Sequence, residues 1–158
     1  MVLGVDRDRR TGQDDAVAQY DRTLAFVSAV QLGCGVAGLA TAVRRGHAYD
    51  LPLLHGRHDR VARDSVLMGT ALSAPLTMMG VQALATKQLR RRRSDGAKTV
   101  LGALGAMMTA GYLAERHVRH RLRRSGVDPL ETPLIITGIS SAVAMAALAR
   151  TSSRPAAR

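Results

Sequence analysis

The sequence predicts an all-α fold, in which a small polytopic membrane protein forms a four-transmembrane-helix bundle. Four stretches carry no formal charge, arginine-rich segments separate them, and a chain of 158 residues is too short to bury four such helices in protein alone. The Ser, Thr and Gln side chains in these stretches can be satisfied in lipid by hydrogen bonds to the backbone or to a neighbouring helix. The uncharged stretches are Thr23–Val43, Ser65–Thr86, Thr99–Ala114 and Thr132–Ala149.

The chain is expected to divide into three parts. Residues 1–22 form a polar N-terminal segment, residues 23–149 the four-helix transmembrane domain, and residues 150–158 a disordered C-terminal tail. The first two uncharged stretches are long enough to cross about 30 Å of hydrocarbon, and the fourth is just adequate. The third is short. Lys98, by snorkelling to the surface, and the helix beyond Glu115 could extend it, and the alternative is a shallower or re-entrant segment.

Two prolines and one acidic residue predict local features of the helices. Pro75 lies midway along the second stretch, where we expect a kink because proline removes a helical hydrogen bond. The helix that contains the third stretch has no breaker after Ala114 and is expected to continue towards Arg124. Asp128 then suits the N-cap of the last helix, with Pro129 at its first position and Glu131 placed to reach back to the cap.

Small residues recur every fourth position in three of the stretches, a spacing that lets helices approach closely in lipid. This pattern predicts tight packing within the bundle, and the same faces could instead mediate homo-oligomers or contacts with a membrane-protein partner. Cys34, the only cysteine, is expected to be a packing residue. The small-residue positions are Ala29, Gly33 and Ala37, then Gly102, Ala106 and Ala110, and finally Gly138, Ala142 and Ala146.

The net charge of +11 does not indicate a nucleic-acid partner. With one Phe, three Tyr and no Trp, the chain lacks the aromatic platforms on which bases stack, and its arginines flank apolar stretches as in ordinary membrane proteins. Membrane lipids, anionic headgroups in particular, are the expected partners. The scarcity of Lys beside abundant Arg, Ala and Gly indicates a bacterial protein, expected in the inner membrane. Four spans would place thirteen of the 23 Lys and Arg residues, including the run Arg90–Arg93, on the side of the two termini, which favours cytoplasmic termini; the alternative is dual topology.

All five histidines fall in the first and third connections, which four spans place at one membrane face. Histidine with carboxylate suits zinc or iron, and it also suits metal-free proton transfer at the interface. Solvated loops explain the same residues, and we favour that interpretation because a helical His-Glu-x-x-His is absent from the sequence. The catalytic candidates are His58, Asp59, Glu115, His117 and His120; the metal candidates are His55, His58, His117 and His120.

Two clusters of arginines in the same connections form a candidate binding site for an anionic lipid headgroup, since guanidinium groups bind phosphate bidentately. Unspecific anchoring of the loops to lipid explains the same arginines without a dedicated pocket, and we favour that interpretation. The headgroup candidates are Arg57, Arg60 and Arg63 in the first connection, and Arg116, Arg119 and Arg123 in the third.

No residue pattern identifies a reaction, and the sequence therefore favours a non-enzymatic accessory or partner-binding membrane protein. The first alternative is an interfacial enzyme that acts on a lipid or other hydrophobic substrate through the His and carboxylate candidates. The second is a small transporter. Its polar pathway would be lined by Gln31, Ser73, Thr77, Gln82 and Thr109, although these side chains are more simply hydrogen-bonded between helices.

Overall fold

The computed structural model describes residues 5–45, 50–51, 54–55, 74–92, 94–123 and 126–152. These residues are helical apart from short connections and one pair of two-residue antiparallel strands, which confirms the predicted all-α class. The elements are α1 (Val5–Arg45), β1 (Asp50–Leu51), β2 (Leu54–His55), α2 (Leu76–Arg91), α3 (Asp95–Ala114), α4 (Arg116–Arg121) and α5 (Glu131–Ser152).

The four long helices pack side by side in the ring order α1, α2, α3, α5. Helix α1 runs antiparallel to α2, since Ser28 bonds Thr86 while Gly35, two turns further along α1, lies beside Met79. Helix α3 also runs antiparallel to α5, because Gly102 lies beside Ala149 while Gly105, further along α3, lies beside Ala142. Antiparallel neighbours place β1, β2 and α4 at one end of the described bundle, where β1 contacts α4.

The interior alternates between apolar and polar layers. Near the α2–α3 connection, one apolar cluster joins all four long helices, and a second lies at the α4 end. The first cluster contains Leu24, Ala25, Ala85, Leu89, Ala97, Leu101, Met145 and Ala149. The second contains Ala42, Met108, Tyr112, Val118, Ile135 and Ala142.

Between these clusters, buried polar side chains bond one helix to another. The Gln82 amide Nε2 donates to the Ser28 carbonyl at 2.9 Å and to Ser28 Oγ at 3.1 Å, and Ser28 Oγ lies 2.7 Å from Thr86 Oγ1. Gln31 is also buried, and its side chain lies near Tyr112 of α3. The Gln82 and Ser28 bonds connect α1 to α2. They correspond to the simpler of the two roles predicted for Gln82, a hydrogen bond between helices.

The outer surface of the bundle is apolar. Phe26 is 68% exposed and Leu84 67%, and Met107, Ile136 and Val143 also face outwards. Two of the described helices are long and apolar enough to span a bilayer, over Asp15–Arg45 and Glu131–Thr151. Buried polar side chains such as Gln82 and exposed apolar ones such as Phe26 therefore occur over the same lengths of helix, alongside the two buried apolar clusters.

Two local expectations differ from the structure. Helix α2 begins after Pro75, which occupies its N-cap with φ −51° and ψ 142°, so the proline starts the described helix instead of kinking it. The helix expected to continue past Ala114 breaks at Glu115, whose ψ of 124° is extended. Helix α1 begins at Val5, within the polar N-terminal segment, and runs on through the first uncharged stretch.

The small-residue faces serve different purposes. Gly102 and Gly105 allow α3 to approach α5 closely, and Gly138 accommodates the Tyr112 ring. In contrast, Ala29 and Gly33 of α1 face outwards, and a Cβ atom at Gly33 would meet nothing within 4 Å. Ala106 and Ala110 are likewise exposed. Only on α5 do all three small residues of the predicted pattern, Gly138, Ala142 and Ala146, face the inside of the bundle.

Gly105→Ala tests the α3–α5 contact. The new Cβ would lie 2.6 Å from the Ala142 carbonyl oxygen and 2.9 Å from the Ala146 nitrogen, backbone atoms that move only with the helix. We expect a loss of about 1–3 kcal/mol in the free energy of unfolding, measured in detergent by circular dichroism. Gly111→Ala is the matched control: it meets nothing within 4 Å, and its better helix propensity predicts a gain of up to about 1 kcal/mol. Equal changes in the free energy of unfolding for Gly105→Ala and Gly111→Ala would contradict the close contact between α3 and α5.

Candidate functional site at Glu131

The start of α5 is fixed by Asp128, as the sequence predicts. Asp128 Oδ1 accepts hydrogen bonds from the backbone N–H groups of Leu130, at 2.9 Å, and Glu131, at 2.8 Å. The group that reaches back to the cap is Thr132 and not Glu131, since the Asp128 N–H donates to Thr132 Oγ1 at 2.9 Å. The Glu131 side chain is thereby available for other contacts.

The Glu131 carboxylate is the centre of an ionic cluster and is fully buried. Arg45, the last residue of α1, donates from Nη1 to Oε1 at 2.7 Å. On α4, Arg121 Nε donates to Oε2 at 2.7 Å, and His117 Nε2 lies 2.9 Å from the same oxygen. One carboxylate therefore joins α1, α4 and α5 where the three elements meet.

Arg45 also links the two carboxylates of the cluster, because its Nη1 lies 3.0 Å from Asp128 Oδ2. The backbone N–H groups of Glu131 and Leu130, together with the Arg45 guanidinium, lower the pKa of Asp128 to about 2. Asp128 is therefore ionised throughout the physiological pH range. Two carboxylates face two guanidinium groups, so the positive charges needed to compensate a fully buried Glu131 are supplied within the cluster.

The helix break at Glu115 positions the two cluster residues on α4. Ending α3 there gives α4 its own direction, and His117 and Arg121, four residues apart, occupy one face of it. Val118, between them in sequence, is fully buried in the second apolar cluster and packs α4 against the bundle. The expected continuous helix would have carried these side chains along the α3 axis instead.

The structure brings some of the predicted site residues together. His117 lies in the cluster, Glu115 is buried at the break between α3 and α4, and the His120 side chain is exposed. Because β1 contacts α4, this part of the first connection lies at the same end of the bundle as the third connection, as predicted. Asp50 of β1 pairs with His55 of β2. The candidates His58, Asp59, Arg57, Arg60 and Arg63 and the side chain of His55 lie outside the described residues.

Arg116, Arg119 and Arg123, the headgroup candidates of the third connection, are all exposed at this end of the bundle. Within the described ranges, no group of three or more His, Cys, Asp or Glu side chains is arranged to hold a metal ion. The metal candidates His117 and His120 make different contacts, because His117 is bonded to Glu131 while the His120 backbone and ring pack beside Gly126.

Sequence reasoning did not assign Arg45, Arg121 or Glu131 to a site. Glu131 was placed in a capping role and Arg45 among the flanking arginines. One signal was present in the sequence: Glu131 directly precedes one uncharged stretch, and Arg45 lies two residues beyond another, at ends that four spans place at the same face. Opposite charges at those positions meet if the two helices pack antiparallel, which the sequence does not establish.

A second buried ion pair joins α1 and α3 at the opposite end. Lys98 Nζ lies 2.9 Å from Asp21 Oδ1, and both side chains are about 5% exposed. Asp95, which is fully exposed, lies 3.4 Å from the same ammonium group. Lys98 was expected to snorkel outwards, and the structure instead turns it inwards to a carboxylate.

No protein-family model, curated protein or solved structure matches this chain.

Glu131→Gln tests the cluster. It removes the buried negative charge and leaves two guanidinium groups without their carboxylate, so we expect the free energy of unfolding to fall by about 3 kcal/mol. Chemical unfolding in detergent, followed by circular dichroism, measures this change. Asp95→Asn is the matched acid-to-amide control, and its exposed ion pair predicts a loss below about 1 kcal/mol. A Glu131→Gln loss no larger than that of the control would show that the cluster does not hold the three elements together.

Proposed function

We propose that this chain is a non-enzymatic integral membrane protein of the bacterial inner membrane, a four-transmembrane-helix bundle that serves as an accessory or partner-binding subunit. The observation that carries this proposal is the band of uncharged surface around all four long helices, which ends at a buried ionic cluster on each side. No charged residue occurs in α1 between Arg22 and Arg44, in α3 between Lys98 and Glu115, or in α5 between Glu131 and Arg150.

The dimensions of this band support a bilayer as its surroundings. At a rise of about 1.5 Å per residue, Asp21 and Arg45 are about 36 Å apart along α1, and Glu131 and Arg150 are about 28 Å apart along α5. The corresponding length in α3 is about 25 Å. These lengths bracket the roughly 30 Å of a bilayer's hydrocarbon core. Helix α2 contributes its uncharged residues from Leu76 to Thr86, and the earlier part of the uncharged stretch, residues 65–73, lies outside the described residues.

The distribution of polarity supports the same conclusion. In water, an exposed face with Phe26, Leu84 and Met107 would cost free energy, and the buried Gln31 and Gln82 would compete with solvent for hydrogen bonds. In lipid both features stabilise the fold, because apolar side chains meet acyl chains and amides bond across helices. The two ionic clusters then lie near the two membrane–water boundaries.

The contacts of the Glu131 cluster support a structural role over catalysis. Both Glu131 oxygens already bind cationic groups, and His117 is held by one of them. The candidate transport residues support the same interpretation, since Gln82 bonds across the helices and the Thr109 hydroxyl donates to the Gly105 carbonyl of its own helix. The surface most available to a partner is therefore the outer face of the helices.

Single cysteines test the proposed topology. In a Cys34→Ala background, Ser94→Cys in the α2–α3 connection and Val127→Cys in the α4–α5 connection should react with an impermeant maleimide from opposite sides of the membrane. Thr151→Cys near the end of α5 should react from the Ser94 side, which we propose is cytoplasmic. Labelling of intact cells, compared with labelling of inverted vesicles, measures this.

Labelling of all three cysteines from one side would contradict four spans. Release of the wild-type protein from membranes by alkaline carbonate would contradict an integral protein altogether, whereas wild-type protein that stays in the carbonate pellet is the expected result.

A further inference from the structure

A cavity of about 480 Å³ lies on the outside of the bundle between α1 and α2, towards the α2–α3 connection. Its volume is within the range of about 300–1,000 Å³ that is usual for ligand pockets. The lining changes from small and apolar residues to cationic ones along the helix axis. It comprises Ala29, Leu32, Ala83, Thr86, Lys87, Arg90 and Arg91.

The apolar part continues beyond the cavity as an open seam. Gly33 lies one turn from Ala29 on α1, and Gly80 lies one turn from Ala83 on α2. Both glycines are exposed, and a Cβ atom at either would meet nothing within 4 Å. Among the described residues, Ala29 and Gly33 of α1 are therefore not used for packing, and with Gly80 and Ala83 they form a small-residue surface that adjoins the cavity, which we call the groove.

The cationic part lies at the end of the same groove. Lys87, Arg90 and Arg91 are exposed and occupy one face of α2, spaced by three and four residues. No acidic side chain of the described residues lines the cavity. From Ala83 to Arg91 the helix rises about 12 Å, so the groove passes from cations to apolar surface over the length of a phosphate, a glycerol and the first part of an acyl chain.

We propose that this groove binds one anionic phospholipid. Its phosphate lies against Lys87, Arg90 and Arg91, and an acyl chain follows Ala29, Gly33, Gly80 and Ala83 into the bilayer. The site rests on the proposed membrane location of the protein. It differs from the headgroup candidates of the sequence analysis, because Arg116, Arg119 and Arg123 lie at the opposite end of the bundle.

Charge favours a lipid over a second copy of the chain in this groove. A two-fold axis along the membrane normal would place each Arg90 and Arg91 against the same residues of the other copy, and such like-charge contacts oppose association. An anionic headgroup neutralises the same three cations with one molecule.

The experiment measures lipid binding to the delipidated full-length protein in detergent by native mass spectrometry. We expect one dioleoyl phosphatidylglycerol to bind about a hundred-fold more tightly than dioleoyl phosphatidylcholine, since three cations face the anionic headgroup. Arg90→Gln with Arg91→Gln should weaken phosphatidylglycerol binding about twenty-fold, since each surface cation contributes about a five-fold gain in affinity. The matched control, Arg119→Gln with Arg123→Gln, removes the same charge at the other end and should leave binding unchanged.

A second pair of variants tests the groove itself. Gly33→Leu fills the seam without a clash and should weaken phosphatidylglycerol binding at least about five-fold, because acyl-chain contacts are lost. Gly111→Leu, which also meets open space, should have no effect.

Three outcomes would overturn the proposal. An equal loss in the Arg119 and Arg123 control would show unspecific attraction, and unchanged binding in Gly33→Leu would show that no groove is involved. A wild-type dimer that binds no phosphatidylglycerol and dissociates with Gly33→Leu would assign the groove to a second copy. If the protein stays in the membrane pellet after alkaline carbonate but shows no preference for phosphatidylglycerol, only the lipid site is overturned. If carbonate releases the protein, the proposed membrane location, on which the lipid site rests, is overturned.

Discussion

The buried carboxylate of Glu131 is the contact on which the α4 end of this molecule depends. A charge without solvent is costly unless cationic partners surround it, and here they come from the end of α1 and from α4. The cluster therefore fixes the distance between the antiparallel helices α1 and α5, and it determines where α4 leaves the axis of α3. The Asp21–Lys98 pair has the corresponding role between α1 and α3 at the other end.

Between these two clusters, a few polar side chains are buried beside the apolar core while several large apolar ones are exposed. Gln82, Ser28 and Thr86 are buried and bonded to one another, while Phe26 and Leu84 are exposed. Such contacts suit the proposed lipid surroundings, because lipid does not compete for hydrogen bonds. The membrane proposal and the packing of the interior are thus two consequences of one arrangement, and the lipid groove is its extension to the outer surface.

Much of the fold follows from the sequence because its strongest signals are local. Uncharged stretches predict helices, and Asp128 predicts a cap that the structure confirms. The predicted sharing of one end by the first and third connections agrees with the contact of β1 with α4. Four crossings of a membrane remain a proposal, supported by two described helices with the length and composition of a span.

What the sequence did not predict depends on contacts between distant residues. Glu115 has no helix-breaking chemistry of its own, and α3 ends there as α4 packs Val118 into the core and aims Arg121 at Glu131. Likewise, the spacing of Ala29 and Gly33 identifies a small-residue face but not the direction in which it points. Those directions are set by which helices become neighbours, and single-sequence patterns carry no information about neighbours.

Depth measurement with nitroxide labels tests the central claim most directly. Labels placed singly at Val36, Leu84, Met107 and Val143, one exposed site on each long helix, are compared with a label at Val127 beyond the ionic cluster. Reconstituted in vesicles, the four helix labels should collide often with oxygen and rarely with a water-soluble nickel chelate, while Val127 shows the opposite preference. Nickel collisions at the four sites as frequent as those at Val127 would place the band in water and contradict the account.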